Sequence, residues 1–206
     1  MKKGVFIAFE GLDGSGKTTQ FNAIINKLAA NGISCKAEKQ PSNCNPIGLL
    51  LRDIVQNADG PTFSPRSLAQ LFSIDRYEHV TNNIKPYVDA GEHVLIDRYV
   101  FSSFAYQGQM FTFDEIYDFN RESIELLMPD LTIFIDTDPD ECTRRINSNR
   151  ANQEMFDDNG DVIRFKFLYS FAIMKDITKI VKIKGNQPED VVTESIWKAV
   201  KPLFLS

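Results

Sequence analysis

At 206 residues, 43% hydrophobic and 25% charged, the chain suits one ordinary globular domain with ample material for a core. Its formal net charge of −5 excludes a protein that coats nucleic acid by general positive charge, so any bound anion needs a local site. Three scattered cysteines, Cys35, Cys44 and Cys142, form neither a metal spacing nor a disulfide framework and suit a reducing cytoplasm; no apolar stretch approaches a membrane span, and the run behind the amino-terminal MKK is too short for a signal peptide.

In chain order, Val5–Phe9 is a continuous apolar run, followed by a weaker one at Ser34–Glu38 and by Val94–Ile96, Leu131–Ile135 and Ile180–Ile183. Apolar runs without alternation predict strands covered on both faces, as in a parallel sheet. Between them, Thr18–Ala30 places Phe21, Ile24, Ile25 and Leu28 at helical spacing and stops at Asn31-Gly32, a good helix end. Leu68–Tyr87 and Pro188–Leu203 predict further helices, and the polar Asn147–Asp161 predicts a mobile loop. The expected architecture is one α/β domain over 1–206: a doubly wound, five-stranded parallel sheet with helices on both faces.

Gly11, Leu12, Asp13, Gly14, Ser15, Gly16, Lys17 and Thr18 match G-x-x-x-x-G-K-[ST], with Thr19 following on the helix. The composition answers a physical need. Backbone N–H groups must wrap phosphate oxygens, so side chains must be absent where they wrap, and a helix N-terminus adds its unpaired amides. Lys17 would add charge at the β- and γ-phosphates, and Thr18 a hydroxyl for Mg²⁺. ATP or GTP binding follows. A GTPase switch needs Asn-Lys-x-Asp late in the chain, whereas the single Asn-Lys pair, Asn26-Lys27, precedes Leu28-Ala29. After the third predicted strand comes Asp97-Arg98. Residues just past parallel strands face the ligand crevice, so Arg98 would reach the phosphates and Asp97 would support Mg²⁺. Taken alone, the pair is equally compatible with a solvated strand end.

The segments FEGLDGSGKTTQ, PIGLLLRDIV, LFSIDRYEHV, LIDRYVFSSFAYQG, PDLTIFIDTDP and GNQPEDV occur in an order and spacing that resemble the thymidylate kinase family from end to end. The resemblance implies phosphorylation of dTMP to dTDP by ATP with Mg²⁺, in dTTP synthesis, by a homodimer. It implies that Asp13 approaches the deoxyribose 3′-hydroxyl, that Phe72 and Arg76 bind thymine, and that Arg98 bridges the two phosphates. Arg52 would contact the acceptor phosphate, Ser102, Ser103 and Gln107 the thymidine, and Arg145 the adenine. The residues agree: Phe72 and Arg76 are four apart, on one face of a predicted helix, and a ring can stack on a pyrimidine while a guanidinium donates to its carbonyl.

The chain departs from the family pattern in two places. Lys39-Gln40-Pro41 stands where Arg-Glu-Pro is usual, and Gly14 stands where some members carry an arginine. A lid at about 147–161 is then expected to supply the cation, through its single arginine, Arg150; Arg164 follows it. A phosphate monoester has a second pKa of about 6 and is mostly dianionic at neutral pH, so no general base is required. Lys17, Arg98 and Arg150 are the expected catalytic groups. Another phosphate-loop kinase, such as a deoxynucleoside kinase, and a non-catalytic nucleotide sensor are the alternatives.

Overall fold

The computed structural model describes residues 3–57, 62–149 and 159–204. Five strands, β1 (Phe6–Gly11), β2 (Cys35–Lys39), β3 (His93–Asp97), β4 (Leu131–Asp136) and β5 (Lys179–Lys184), form an all-parallel sheet in the order β2-β3-β1-β4-β5. All five coincide with the predicted apolar runs. Side chains of β1 alternate between two cores. Phe6 and Ala8 pack with Val94, Ile96 and Phe134, whereas Ile7 and Phe9 pack with Leu95, Leu131 and Ile133. In β1, β3 and β4 both faces are covered, which explains why those runs lack a polar alternation, whereas the edge strands β2 (CKAEK) and β5 (KIVKIK) keep exposed positions.

Helices α1 (Lys17–Ala30) and α9 (Glu189–Val200) cover the second face, through Phe21, Ile24, Leu28, Val192 and Ile196. Helix α1 ends as expected: Gly32 is left-handed (φ 73°), Gly32 N–H donates to Ala29 O (2.9 Å) and Ile33 N–H to Leu28 O (3.0 Å). Helix α2 (Pro46–Gln56) starts on Asn45, whose side chain accepts from Gly48 N–H at 2.9 Å. The predicted Leu68–Tyr87 helix starts earlier, on Ser64, as α3 (Pro65–His79). It passes through one π turn at Val80–Ile84 into α4 (Lys85–Asp89). Pro86 has no N–H to offer the preceding turn, which accounts for the widened ladder.

Helices α5 (Val100–Tyr106), α6 (Phe113–Leu126) and α8 (Gly160–Met174) cover the first face, and α7 (Pro139–Asn149) follows β4. A capping box of Thr112 and Glu115 starts α6. The predicted loop is therefore shorter than 147–161: residues 147–149 close α7, and Gly160 and Asp161 open α8. Residues 150–158 lie outside the described residues. All three cysteines are free; Cys44 is exposed and Cys142 buried.

Candidate active site

Residues 12–16 turn between the C-terminal end of β1 and the start of α1. Gly16 (φ 89°) caps α1 with no side-chain bond to its first amides, which leaves them for an anion. Gly14 (φ 76°) has no room for a side chain: a Cβ there would lie 2.4 Å from the Cys142 carbonyl oxygen. A side chain at this position would need the loop or α7 to shift, so glycine fits this backbone. Ser15 O accepts from Thr137 Oγ1 (2.9 Å) and from Arg145 Nη1 (3.4 Å), which pins the loop from outside.

Sheet register places Phe9 beside Asp97, so the loops after β1 and β3 emerge together. Lys17 Nζ lies 3.3 Å from Asp97 Oδ1, and Thr18 Oγ1 donates to Asp97 Oδ2 at 3.0 Å. Burial alone would raise the Asp97 carboxyl pKa, but Lys17 and Arg98 hold it below the ordinary range. Among the described residues no group of three His, Cys, Asp or Glu could hold a metal by itself. A hydroxyl and a carboxylate beside a phosphate loop do fit Mg²⁺, which keeps waters and takes most of its other ligands from phosphate oxygens.

Arg98 is held in a left-handed conformation (φ 71°) that few residues other than glycine adopt. Its N–H donates to Phe9 O (2.9 Å). Nη1 donates to Gly11 O (3.2 Å) and Ser102 Oγ (3.1 Å), Nη2 to Asp13 Oδ1 (2.6 Å), and the guanidinium lies 4.9 Å from the centre of the Tyr106 ring. Tyr106 OH donates to the other Asp13 oxygen (2.9 Å). Burial would raise the Asp13 carboxyl, but Arg98, Lys17 and the tyrosine hydroxyl outweigh it and bring its pKa to about 2. Behind this cluster stands Glu10, fully buried, whose carboxylate accepts from Tyr99 N–H (2.9 Å), Ser102 N–H (3.1 Å) and Ser102 Oγ (2.6 Å). Burial pushes its pKa up. Sequence reasoning passed over Glu10 as the end of an apolar run. Its signal was a charge in phase with Phe6 and Ala8, facing the core.

One cavity gathers Asp13, Lys17, Thr18, Arg52, Phe72, Arg76, Arg98, Ser102, Ser103 and Gln107, every residue expected around the acceptor. It also takes in Lys39, Gln40, Pro41 and Tyr106. Arg52 Nε donates to Ser42 O (3.4 Å), and its buried Nη2 has no partner. Arg76 is buried; it donates to Asn120 Oδ1 (3.0 Å), to Ser103 Oγ (2.5 Å) and to Gln40 Oε1. The neighbouring Asp75 accepts from Ser42 N–H (2.9 Å), Ser42 Oγ (2.5 Å) and Asn45 Nδ2 (2.7 Å), which locks the β2–α2 loop onto α3. His79 Nε2 and Glu38 Oε2, 3.0 Å apart, add a second tie between α3 and β2.

A second cavity holds Leu12, Asp13, Gly14, Ser15, Gly16, Lys17, Thr18, Thr19 and Arg145, closed by Gly185, Gln187 and Glu189. Gly11 and Asp97 line neither of these two cavities; Asp97 lines an adjoining one with Thr18 and Lys39. Arg145 donates to Glu141 Oε1 (2.7 Å) and to Gly185 O (3.3 Å). Arg150 lies outside the described residues. Arg164 is bidentate on Asp136, at 2.6 and 3.0 Å.

A sequence profile of the thymidylate kinase family matches residues 9–196. The chain belongs to the thymidylate kinase family. A thymidylate kinase of Clostridium novyi is 34% identical over 95% of this chain and 98% of its own length, and one of Halalkalibacterium halodurans is 34% identical over 98% of both. A thymidylate kinase of Bacillus licheniformis is 37% identical over 73% of this chain and 72% of its own. Family membership agrees with the five-stranded parallel α/β fold expected from the residues alone.

Proposed function

We propose that the protein transfers the γ-phosphoryl group of ATP to dTMP, giving ADP and dTDP. The carrying observation is that both cavities open onto the same three residues, Asp13, Lys17 and Thr18. A donor cradled by residues 11–19 would thus present its terminal phosphate to an acceptor held on the other side. A coupled assay of dTMP, dUMP, dCMP, AMP and thymidine with ATP tests this reading; a preference for any acceptor over dTMP would overturn it. Turnover of thymidine in place of dTMP would favour the deoxynucleoside kinase alternative, and no turnover at all the nucleotide sensor.

The chemistry needs charge neutralisation and alignment more than proton removal, because the acceptor phosphate is already mostly dianionic. Lys17 would meet the β- and γ-phosphates. Arg52, with its unpartnered Nη2, would take the acceptor phosphate. Arg98 would leave Asp13 in part to bridge the two phosphates, and Asp13 would then meet the 3′-hydroxyl. Phe72 would stack on the base and Arg76 would face its carbonyl edge, with Ser102, Ser103 and Gln107 beside it. Arg145 would lie against the adenine. Mg²⁺, held by Thr18 and Asp97, would neutralise phosphate charge. The lid arginine Arg150 would complete the cation set that Gly14 leaves short.

A homodimer is part of the same reading. Ile74 and Tyr77 are exposed on the outer face of α3, a surface that suits a second copy. A single monomer mass in light scattering would remove that part. Three free cysteines suit a reducing cytoplasm; among the described residues no helix is long and apolar enough to cross a membrane.

A further inference from the structure

Arg76 is buried, yet its three direct partners are neutral: Asn120, Ser103 and Gln40. A guanidinium carries donors only, so the Gln40 amide has one permitted orientation, with Oε1 toward Arg76 and its NH₂ group turned away. The backbone fixes the residue as well, since Gln40 N–H donates to Asp97 O at 3.0 Å. Gln40 is 5% exposed and lines the acceptor cavity with Phe72, Arg76, Ser103 and Gln107, and its Nε2 has no hydrogen-bond partner. Buried amide donors are almost always satisfied, because leaving one unpaired is costly. A buried donor left unpaired at the wall of the cavity can be satisfied by an acceptor atom on a ligand that packs against it.

We propose that Gln40 is a specificity-determining residue whose Nε2–H donates to the exocyclic carbonyl oxygen of the base that Arg76 also meets. A carbonyl oxygen has two lone pairs and can satisfy both donors, whereas the amino group of a 4-amino pyrimidine satisfies neither. A glutamate at this position would keep the bond to Arg76 but present the base with an acceptor instead of a donor. The inference rests on the assignment of this cavity to a pyrimidine nucleoside monophosphate. Discrimination built on an unpaired polar group exceeds what shape alone achieves.

The test pairs one residue change with one atom change. Steady-state kcat/KM is measured for wild type, Gln40→Met and Gln40→Glu on dTMP, 4-thio-dTMP, 2-thio-dTMP and dCMP. Wild type should lose about tenfold or more on the change of O4 to sulfur, which weakens the bonds from both Gln40 and Arg76. Each variant should lose about tenfold on dTMP, lose about half of its sensitivity to sulfur at position 4 on a logarithmic scale (the rest being the share of Arg76), and keep the wild-type response to sulfur at position 2. Preference for dTMP over dCMP should narrow by about tenfold. Methionine also frees Arg76 Nη1, so Gln40→Glu, which retains that bond, decides the matter. If in Gln40→Glu the residue and sulfur effects simply multiply, Gln40 does not touch that oxygen and the proposal is overturned. If wild type does not turn over dTMP, the substrate reading fails first and the role of Gln40 falls with it.

Discussion

Replacing Glu10 tests whether a buried carboxylate, remote from the phosphates, sets the position of Arg98. In Glu10→Ala the Tyr99 N–H and the Ser102 hydroxyl lose their acceptor inside the protein, whereas Ser102 N–H keeps the Tyr99 carbonyl oxygen at 3.2 Å. Each such orphan costs about 1–3 kcal/mol. Part of this is returned, because burial disfavours the carboxylate itself, as its raised pKa indicates. The net loss is about 3 kcal/mol, which for a chain of this size lowers Tm by about 6–12 °C. Ser102 also loses the partner that orients its hydroxyl toward Arg98 Nη1. With the guanidinium less well placed, kcat should fall about tenfold or more. Glu10→Gln should move both readouts the same way by less, since one oxygen remains while an amide donor now faces other donors. Thermal unfolding by circular dichroism at pH 7 and a coupled kinase assay give the two numbers. Unfolding of Glu10→Ala within about 2 °C of wild type, with unchanged kcat, would refute the reasoning.

Lys17→Ala should remove most transfer activity while the chain still folds, with a lowered Tm because buried Asp97 loses its ion-pair partner; wild-type rates in that variant would end the phosphate-loop assignment. Asp13, with a pKa of about 2 against an ordinary 3.8, stabilises the fold fully above pH 3.8 and loses that contribution as pH falls through about 2. Asp13→Asn should therefore cost about 2 kcal/mol at pH 7 in urea unfolding, and the gap to wild type should shrink below pH 4; a gap equal at pH 3 and pH 7 counts against the ion pair. Arg150→Ala should lower kcat by about 10²-fold with little change in KM for dTMP. A normal kcat there, with a large loss in Arg164→Ala, would transfer the role to the arginine that now holds Asp136.

The sheet was legible because strands covered on both faces leave unbroken apolar runs, as VFIAF and LTIFI do. Helix α8 was not. Ile163, Phe167 and Phe171 are buried, while Val162, Phe165, Tyr169 and Ile173 on the same helix are exposed, so no polar face marked its period. The phosphate loop and Arg98 were legible because each site stands next to a strand end. The pairing of Gln40 with Arg76, and of Ser42 with Asp75, joins residues from separate elements and has no local signature. Such contacts depend on how β2 and α3 meet, which no window of sequence reports. The expected helix over Leu68–Tyr87 did not include the π turn at Val80–Ile84, whose one local signal is Pro86 near the end of that segment.

The position of β1 also has a consequence for biosynthesis. It is made first, yet it sits in the middle of the sheet, between β3 and β4. Its two hydrogen-bonding edges find partners only after residues 93–97 and then 131–136 have been translated. Until then a run as apolar as VFIAF is exposed on the nascent chain with both edges open, a state that favours association between chains. The contacts of Arg145 and Thr137 with the phosphate loop arrive later still. The phosphate loop thus gains its outer supports only after residues 137 and 145 have been made, so the nucleotide site is completed late in synthesis.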